Sequence, residues 1–197
     1  MTPERTDKLT RVLNQRQPDL TVILENVFDP HNISAVMRTC DAVGIHEIFV
    51  LNSKIPRHKK FGPRSSSSAN KWLKIHQFED LDECMQVVRS RYEYVFTTHL
   101  TSNSISLYKL DLTRKTALVF GNEHSGCSKE IIARADGNFI IPQVGIIQSL
   151  NISVACAVSI YEAFRQKNAA GHYEEVRLPE TDQKQLMKAW SMYDSLK

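Results

Sequence analysis

Short apolar runs recur along the chain, separated by stretches with helical spacing. Leu20-Thr21-Val22-Ile23-Leu24, Glu47-Ile48-Phe49-Val50-Leu51, Tyr94-Val95-Phe96-Thr97-Thr98, residues 116–120 and Phe139-Ile140-Ile141 are each long enough for a buried strand and too short for a helix. A further short strand is predicted from Leu73 to Phe78. Between these runs, helices are predicted over residues 3–16, 33–43, 80–91 and 129–135. Strand–helix–strand at this spacing makes βαβ units, so the fold class is α/β, a mostly parallel sheet flanked by helices.

The punctuation of these elements is chemical. Pro3 suits the first turn of the first helix, whose apolar face is Leu9, Val12 and Leu13. Asn32 is placed to cap the helix from Ile33 to Val43, and Gly44 to follow its last turn. Ser128 can cap Lys129 to Ala135, after which Asp136-Gly137-Asn138 reads as a turn. Leu186, Trp190 and Tyr193 recur at helical spacing near the carboxyl end, with Met187 alongside, and predict an amphipathic helix that packs on the body or on a partner.

The most informative stretch runs from Phe139 to Phe164. Pro142 and Gly145 break the strand and force a loop with polar Gln148, Ser149 and Asn151 around Leu150. The helix that follows is crowded with small residues: Ser153, Ala155, Cys156, Ala157 and Ser159. Small side chains let other backbones approach, and the scarcity of charge predicts a deeply buried helix. Its free N–H groups, facing a polar-tipped loop, make a ligand site.

Composition narrows the classes. The 197 residues are 42% hydrophobic and 24% charged, an ordinary globular balance for one domain with appendages, and the net charge is only +3. No run reaches the roughly 20 apolar residues of a membrane helix. Met1-Thr2-Pro3-Glu4 is no signal peptide. Cys40, Cys84, Cys127 and Cys156 are widely spaced, which suggests packed, reduced thiols in a cytoplasmic protein. The seven histidines show no metal-ligand spacing, so no metal is expected.

Basic residues cluster in two places. Arg5, Lys8 and Arg11 run along one side of the first helix, either a solvated face or a nucleic-acid contact. The segment from Lys54 to Asn70 holds Arg57, Lys59, Lys60 and Arg64 beside a serine run, and reads equally as a solvated loop or a phosphate-backbone clamp. Residues 121–128 approach a phosphate-binding loop but carry Cys127 where that motif needs lysine, and no G-x-G-x-x-G follows the first strand. Common nucleotide-binding folds are thereby disfavoured. Taken singly, Arg38 is a surface arginine or a partner of Asp41, Asn32 a cap, Glu123 a solvated turn residue, and Ser149 and Asn151 ordinary helix-start residues.

Their order is more specific. Residues 20–22, Pro30-His31-Asn32-Ile33-Ser34-Ala35 and Arg38 to Gly44 resemble the first motif of the SPOUT-class RNA 2′-O-ribose methyltransferases. Leu118 to Gly126 is similar to their second motif, and Ile140-Ile141-Pro142-Gln143 with residues 148–155 to their third. The resemblance covers roughly residues 15 to 166. Arg16 to Thr21, His31-Asn32 and Asp41 to Gly44 are similar to the TrmH branch, which methylates the guanosine at position 18 of the tRNA D-loop.

That resemblance implies a core of residues 20–166 with a carboxyl-terminal deep trefoil knot, a basic helical segment (1–19) before it and a helical extension (167–197) after it. It implies S-adenosyl-L-methionine as cofactor, held by Thr98, His99, Leu100, Gly121, Asn122, Ile141, Gln143, Ser149 and Leu150. It further implies a homodimer acting on tRNA. Arg38 would act at the ribose hydroxyl, and Asn32, Glu123, Ser149 and Asn151 would complete the catalytic site. Arg5, Lys8, Arg11, Arg57, Lys59, Lys60 and Arg64 would grip the RNA. Arginine stays charged in proteins, so Arg38 is expected to hold a phosphate and stabilise a developing oxyanion, with the proton passing to phosphate or water. Alternatives within this fold are methylation of ribosomal RNA or of a wobble ribose, or a catalytically silent RNA-binding dimer.

Overall fold

A computed structural model describes residues 2–58, 69–100, 103–147 and 149–193. Among the described residues, seven parallel strands form one sheet: β1 (Leu20–Glu25), β2 (Glu47–Leu51), β3 (Lys74–Phe78), β4 (Tyr94–Thr98), β5 (Ile105–Ser106), β6 (Thr116–Phe120) and β7 (Gly137–Ile140). Their spatial order is β3-β2-β1-β6-β4-β7-β5. Central β1 and β6 are buried along their whole length, as expected of strands covered on both faces.

The helices are α1 (Pro3–Asn14), α2 (Pro30–Ala42), α3 (Leu81–Arg89), α4 (Lys129–Ile132), α5 (Ile152–Ala169) and α6 (Glu180–Ser191). One apolar layer joins Val36, Met37 and Cys40 of α2 to Cys156, Ile160 and Ala163 of α5 and to the β1 and β6 side chains. The other sheet face is covered by α3 and α4 through Cys84, Met85, Val88 and Ile131. All four cysteines are buried free thiols, and burial pushes Cys84 and Cys127 up to about 12.

Several boundaries differ from the sequence expectation, each for a local reason. Asn32 is not the cap of α2. The helix begins three residues earlier, at Pro30 rather than Ile33, where proline's fixed φ suits a first turn, and the Asp29 carboxylate accepts from His31 N at 2.8 Å. Asp136-Gly137-Asn138 is not a free turn, since Gly137 and Asn138 already pair with Phe96 and Thr97. The two-residue β5 carries too little pattern to be seen in sequence. α5 is not buried all round: Ile152, Cys156, Ile160 and Ala163 face the core, while Val154 and Tyr161 are exposed.

The carboxyl-terminal helix does pack on the body. Leu9 and Leu13 of α1 meet Leu178 and Trp190, and Trp72 stands edge-on to Trp190 at 5.5 Å. Beneath them Arg16 is fully buried. It donates to Asp41 Oδ1 at 2.6 Å and to the Ile45 and Trp72 carbonyls, and lies 5.0 Å over the Trp190 ring. At the other end of α5, Lys167 Nζ donates to Asp19 Oδ1 at 3.0 Å with both side chains buried. Gly44 follows α2 with φ 83°, and a Cβ there would lie 2.5 Å from the Gln15 carbonyl oxygen.

Chain order reverses direction across the sheet between β1 and β6, so the carboxyl ends of β1, β6, β4 and β7 open onto one crevice. Among the described residues no helix is long and apolar enough to cross a membrane.

Candidate active site

A cleft of about 480 Å³ lies at that crevice. Its floor is the ends of β4, β6 and β7, and its wall is the segment leading into α5. Thr98, His99, Leu100, Gly121, Asn122, Ile141, Gln143, Ser149 and Leu150, expected from sequence to hold a cofactor, all line it. Glu123 and Asn151 line it too. Sequence reasoning missed the apolar walls, Phe120, Phe139, Ile140, Ile152 and Ala155, because in sequence they look like ordinary strand and helix core.

The turn after β6 is built for close approach. Asn122 and Gly126 exchange backbone hydrogen bonds at 3.0 and 2.9 Å. A Cβ on Gly121 would fall 2.1 Å from the Gly126 carbonyl carbon, so the turn closes only over glycine. Buried Glu25, at the end of β1, accepts from the Ser128 backbone N–H at 2.8 Å and from its hydroxyl. Ser128 in turn caps α4.

This turn carries Glu123 to the start of α2. Glu123 accepts from Phe28 N at 2.9 Å, Asp29 N at 3.2 Å and Asn32 Nδ2 at 2.9 Å. Asn151 Nδ2 then donates to Asn32 Oδ1 at 3.2 Å, while Asn151 Oδ1 accepts from Ser153 N and caps α5. Three residues far apart in sequence thus form one chain of hydrogen bonds across the cleft mouth. Burial pulls the Glu123 carboxyl upward, but its donors, Phe28 N–H first, outweigh that and hold it below the ordinary range.

The remaining expected residues fall elsewhere. Ser149 lines the cleft, whereas Arg38 lies on the exposed side of α2 and is not among the lining residues. Asp41, its alternative partner in sequence, accepts from buried Arg16. Arg5 is half-buried against α6, its Nη2 donating to the Trp190 carbonyl at 3.3 Å, and Lys8 and Arg11 are exposed. Arg57 donates to Gln77 Oε1 at 3.0 Å. Lys59, Lys60 and Arg64 lie outside the described residues.

The donor set fits a ligand with apolar and polar halves and positive charge. Phenylalanine and aliphatic side chains form the walls, Gln143, Ser149 and Asn151 the polar rim, and the described lining holds a carboxylate but no lysine or arginine. Among the described residues no cluster of three or more His, Cys, Asp or Glu side chains could hold a metal ion.

Residues 19–161 match the SpoU rRNA Methylase family. The chain belongs to that family. Among its SpoU relatives, a tRNA (guanosine(18)-2′-O)-methyltransferase of Thermus thermophilus is 43% identical over 188 residues, covering 94% of this chain and 95% of the relative. The enzyme of the same name from Escherichia coli is 37% identical, covering 95% and 82%. The crystal structure of the Aquifex aeolicus TrmH/SpoU tRNA modifying enzyme superposes with a TM-score of 0.89 at 34% identity, covering 98% of each chain. The SpoU methyltransferase AviRb of Streptomyces viridochromogenes, in complex with the cofactor AdoMet, superposes with a TM-score of 0.69 at 25% identity over 79% of this chain and 59% of its own.

Proposed function

We propose that this chain is a tRNA (guanosine-18 2′-O)-methyltransferase using S-adenosyl-L-methionine. The observation that carries the reading is the Glu123–Asn32–Asn151 chain of hydrogen bonds at the mouth of a cleft lined by the expected cofactor residues. Relatives of that name at 37% and 43% identity over nearly the whole chain support it.

S-adenosyl-L-methionine, when bound, supplies a sulfonium methyl group for in-line attack by a ribose hydroxyl. Leu150 and Ile141 would hold its apolar half, with Thr98, Gln143 and Ser149 at the polar rim. The cleft's one-sided charge, a carboxylate without lysine or arginine, favours a sulfonium over an anionic competitor. Alignment is the main catalytic demand. Asn32 and Asn151 would orient the ribose, with Glu123 fixing Asn32 from behind. Arg38 would grip the neighbouring phosphate and stabilise charge growing on the attacking oxygen, the proton leaving to phosphate or water.

Because Arg38 is exposed and does not line the cleft of its own chain, a homodimer in which the partner's Arg38 reaches this cleft would complete the site. Exposed apolar Val144, Ile146 and Ile147, together with exposed Val154 and Tyr161 of α5, support such an interface. The polypeptide divides into a basic helical segment (1–19), a catalytic core (20–166) whose carboxyl part is threaded as a deep trefoil knot, and a helical extension (167–197). Exposed Lys8 and Arg11, with Arg5, Arg57, Lys59, Lys60 and Arg64, would form the RNA grip, without metal, in the cytoplasm.

The test is methyl transfer to an unmodified tRNA transcript, followed by nucleoside digestion and mass spectrometry. A 2′-O-methylguanosine product supports the reading. Product only on ribosomal RNA, or as a methylated wobble pyrimidine, moves the substrate to those sites, and cofactor-independent RNA binding alone leaves a silent RNA-binding dimer.

A further inference from the structure

Phe28 presents its ring to solvent, 69% exposed, on a backbone that is tied down on both sides. Its own N–H and that of Asp29 donate to Glu123 at 2.9 and 3.2 Å. The preceding carbonyl, of Val27, is met by His58 Nε2 at 2.8 Å. One residue further back, Asn26 holds a left-handed conformation at φ 51°. Its N–H donates to the Leu51 carbonyl, its carbonyl accepts from the Asn122 side chain at 2.7 Å, and its own side chain bonds Ser53 and the Lys54 N–H. Asparagine tolerates that region better than other side chains, and the hydrogen bonds on its N–H, carbonyl and side chain fix it there.

An exposed aromatic ring on a rigid loop adds nothing to the folded core. The arrangement is a preorganised contact surface, since little entropy remains to be lost when a flat partner lands on it. Its position selects the partner. The carboxylate that fixes Phe28 also fixes Asn32, so ring and transfer site share one support. His31 lies on the exposed side of α2 three residues further on, and Arg57 adjoins His58, whose ring meets the Val27 carbonyl of this loop. A flat apolar face edged by cationic or imidazole groups is the chemistry that receives an unpaired nucleobase with its phosphate.

We propose that Phe28 is the stacking platform for an unpaired base of the substrate RNA, next to the ribose being methylated. This rests on the tRNA methyltransferase reading and adds to it a substrate-binding residue outside the cofactor cleft.

The test compares Phe28→Ala, Phe28→Leu and Phe28→Trp with the unaltered full-length protein. The readouts are steady-state methyl transfer to an unmodified tRNA transcript, filter binding of the same RNA, calorimetric binding of S-adenosyl-L-methionine, and sedimentation. Phe28→Ala raises KM and the Kd for the RNA about tenfold or more, the loss typical of one stacked base. Cofactor affinity and oligomeric state stay unchanged. Phe28→Trp restores RNA affinity, and RNA quenches its added fluorescence. Phe28→Leu restores nothing, because it is apolar without a π face. RNA affinity unchanged in Phe28→Ala, full activity in Phe28→Leu, or a changed oligomeric state in Phe28→Ala would each overturn the proposal; the last would place the ring between protomers. If the unaltered protein binds RNA in a Phe28-dependent way but transfers no methyl group, the reaction assignment fails and the stacking assignment stands.

Discussion

The side-chain amide of Asn32 donates to Glu123 Oε1 at 2.9 Å, joining the first turn of α2 to the turn after β6 across 91 residues of sequence. Asn32 is thereby removed from capping its own helix, a role Asp29 takes, and is aimed at Asn151 instead. A residue type common at helix starts is used here as the middle of a bridge.

Glu123→Gln should therefore act through positioning. The amide keeps the shape but loses charge-assisted acceptance from three donors, each of which is worth more than a neutral hydrogen bond. The expected result is a fall in kcat of about tenfold or more with a smaller loss of cofactor affinity, since Glu123 is the carboxylate of the cleft lining, measured by single-turnover transfer and calorimetry. The Glu123 carboxyl is held below its ordinary value, so its contribution is complete above the unfolded pKa and is lost as pH falls through the folded one. Transfer by the unaltered protein should lose its acid-side activity over that interval, and Glu123→Gln should lack this phase.

Arg16 is the test of the packing between body and appendages. Its guanidinium spans Asp41, the Ile45 and Trp72 carbonyls and the Trp190 ring, a combination only a planar, multi-donor group can satisfy. Arg16→Ala should destabilise the fold by about 3 kcal/mol, because it leaves the Ile45 carbonyl without its buried donor and removes the packing under Trp190. Arg16→Lys should recover little of it. Urea unfolding measures both.

Strands over 20–24, 47–51 and 116–120 are legible in the sequence because buried parallel strands read as near-continuous apolar runs, and 94–98, buried only at alternate positions, is legible from its aromatic and β-branched residues. The helix packing of Leu186 and Trp190 is legible for the same reason of period. What sequence hides is the part of the site made by tertiary contact. Nothing local distinguishes Asn32 as a bridge from Asn32 as a cap, or exposed Phe28 from a core phenylalanine. The cleft residues were reachable through the three ordered motifs, yet their apolar walls, Phe120 and Phe139, carry no signature of their own. α5 is shallower than its small, uncharged residues suggest, since such residues suit an exposed face that meets another chain as well as a core.

Acid stability should be dominated by Glu47. Burial raises its carboxyl, but His76 at 2.8 Å, the charge of His46, the Tyr92 hydroxyl at 2.9 Å and Arg91 at 2.5 Å together hold it at about 2. A depressed carboxyl stabilises fully above its unfolded value, the ordinary 4.5, and loses that contribution as pH falls towards 2. The amount at neutral pH is on the order of 3 kcal/mol. Chemical denaturation across pH 2 to 7 should show Glu47→Gln less stable than the unaltered protein at neutrality, with the two converging in acid.

The central claim is transfer to one ribose by Arg38, and one position-resolved assay tests it most directly. The unaltered protein and Arg38→Ala are each given S-adenosyl-L-methionine with an unmodified tRNA transcript, and with the same transcript carrying a different base at position 18. The account predicts 2′-O-methylguanosine from the intact transcript alone, none from the altered transcript, and none from Arg38→Ala despite unchanged cofactor binding. Methylation at another nucleotide, or undiminished transfer by Arg38→Ala, would contradict it.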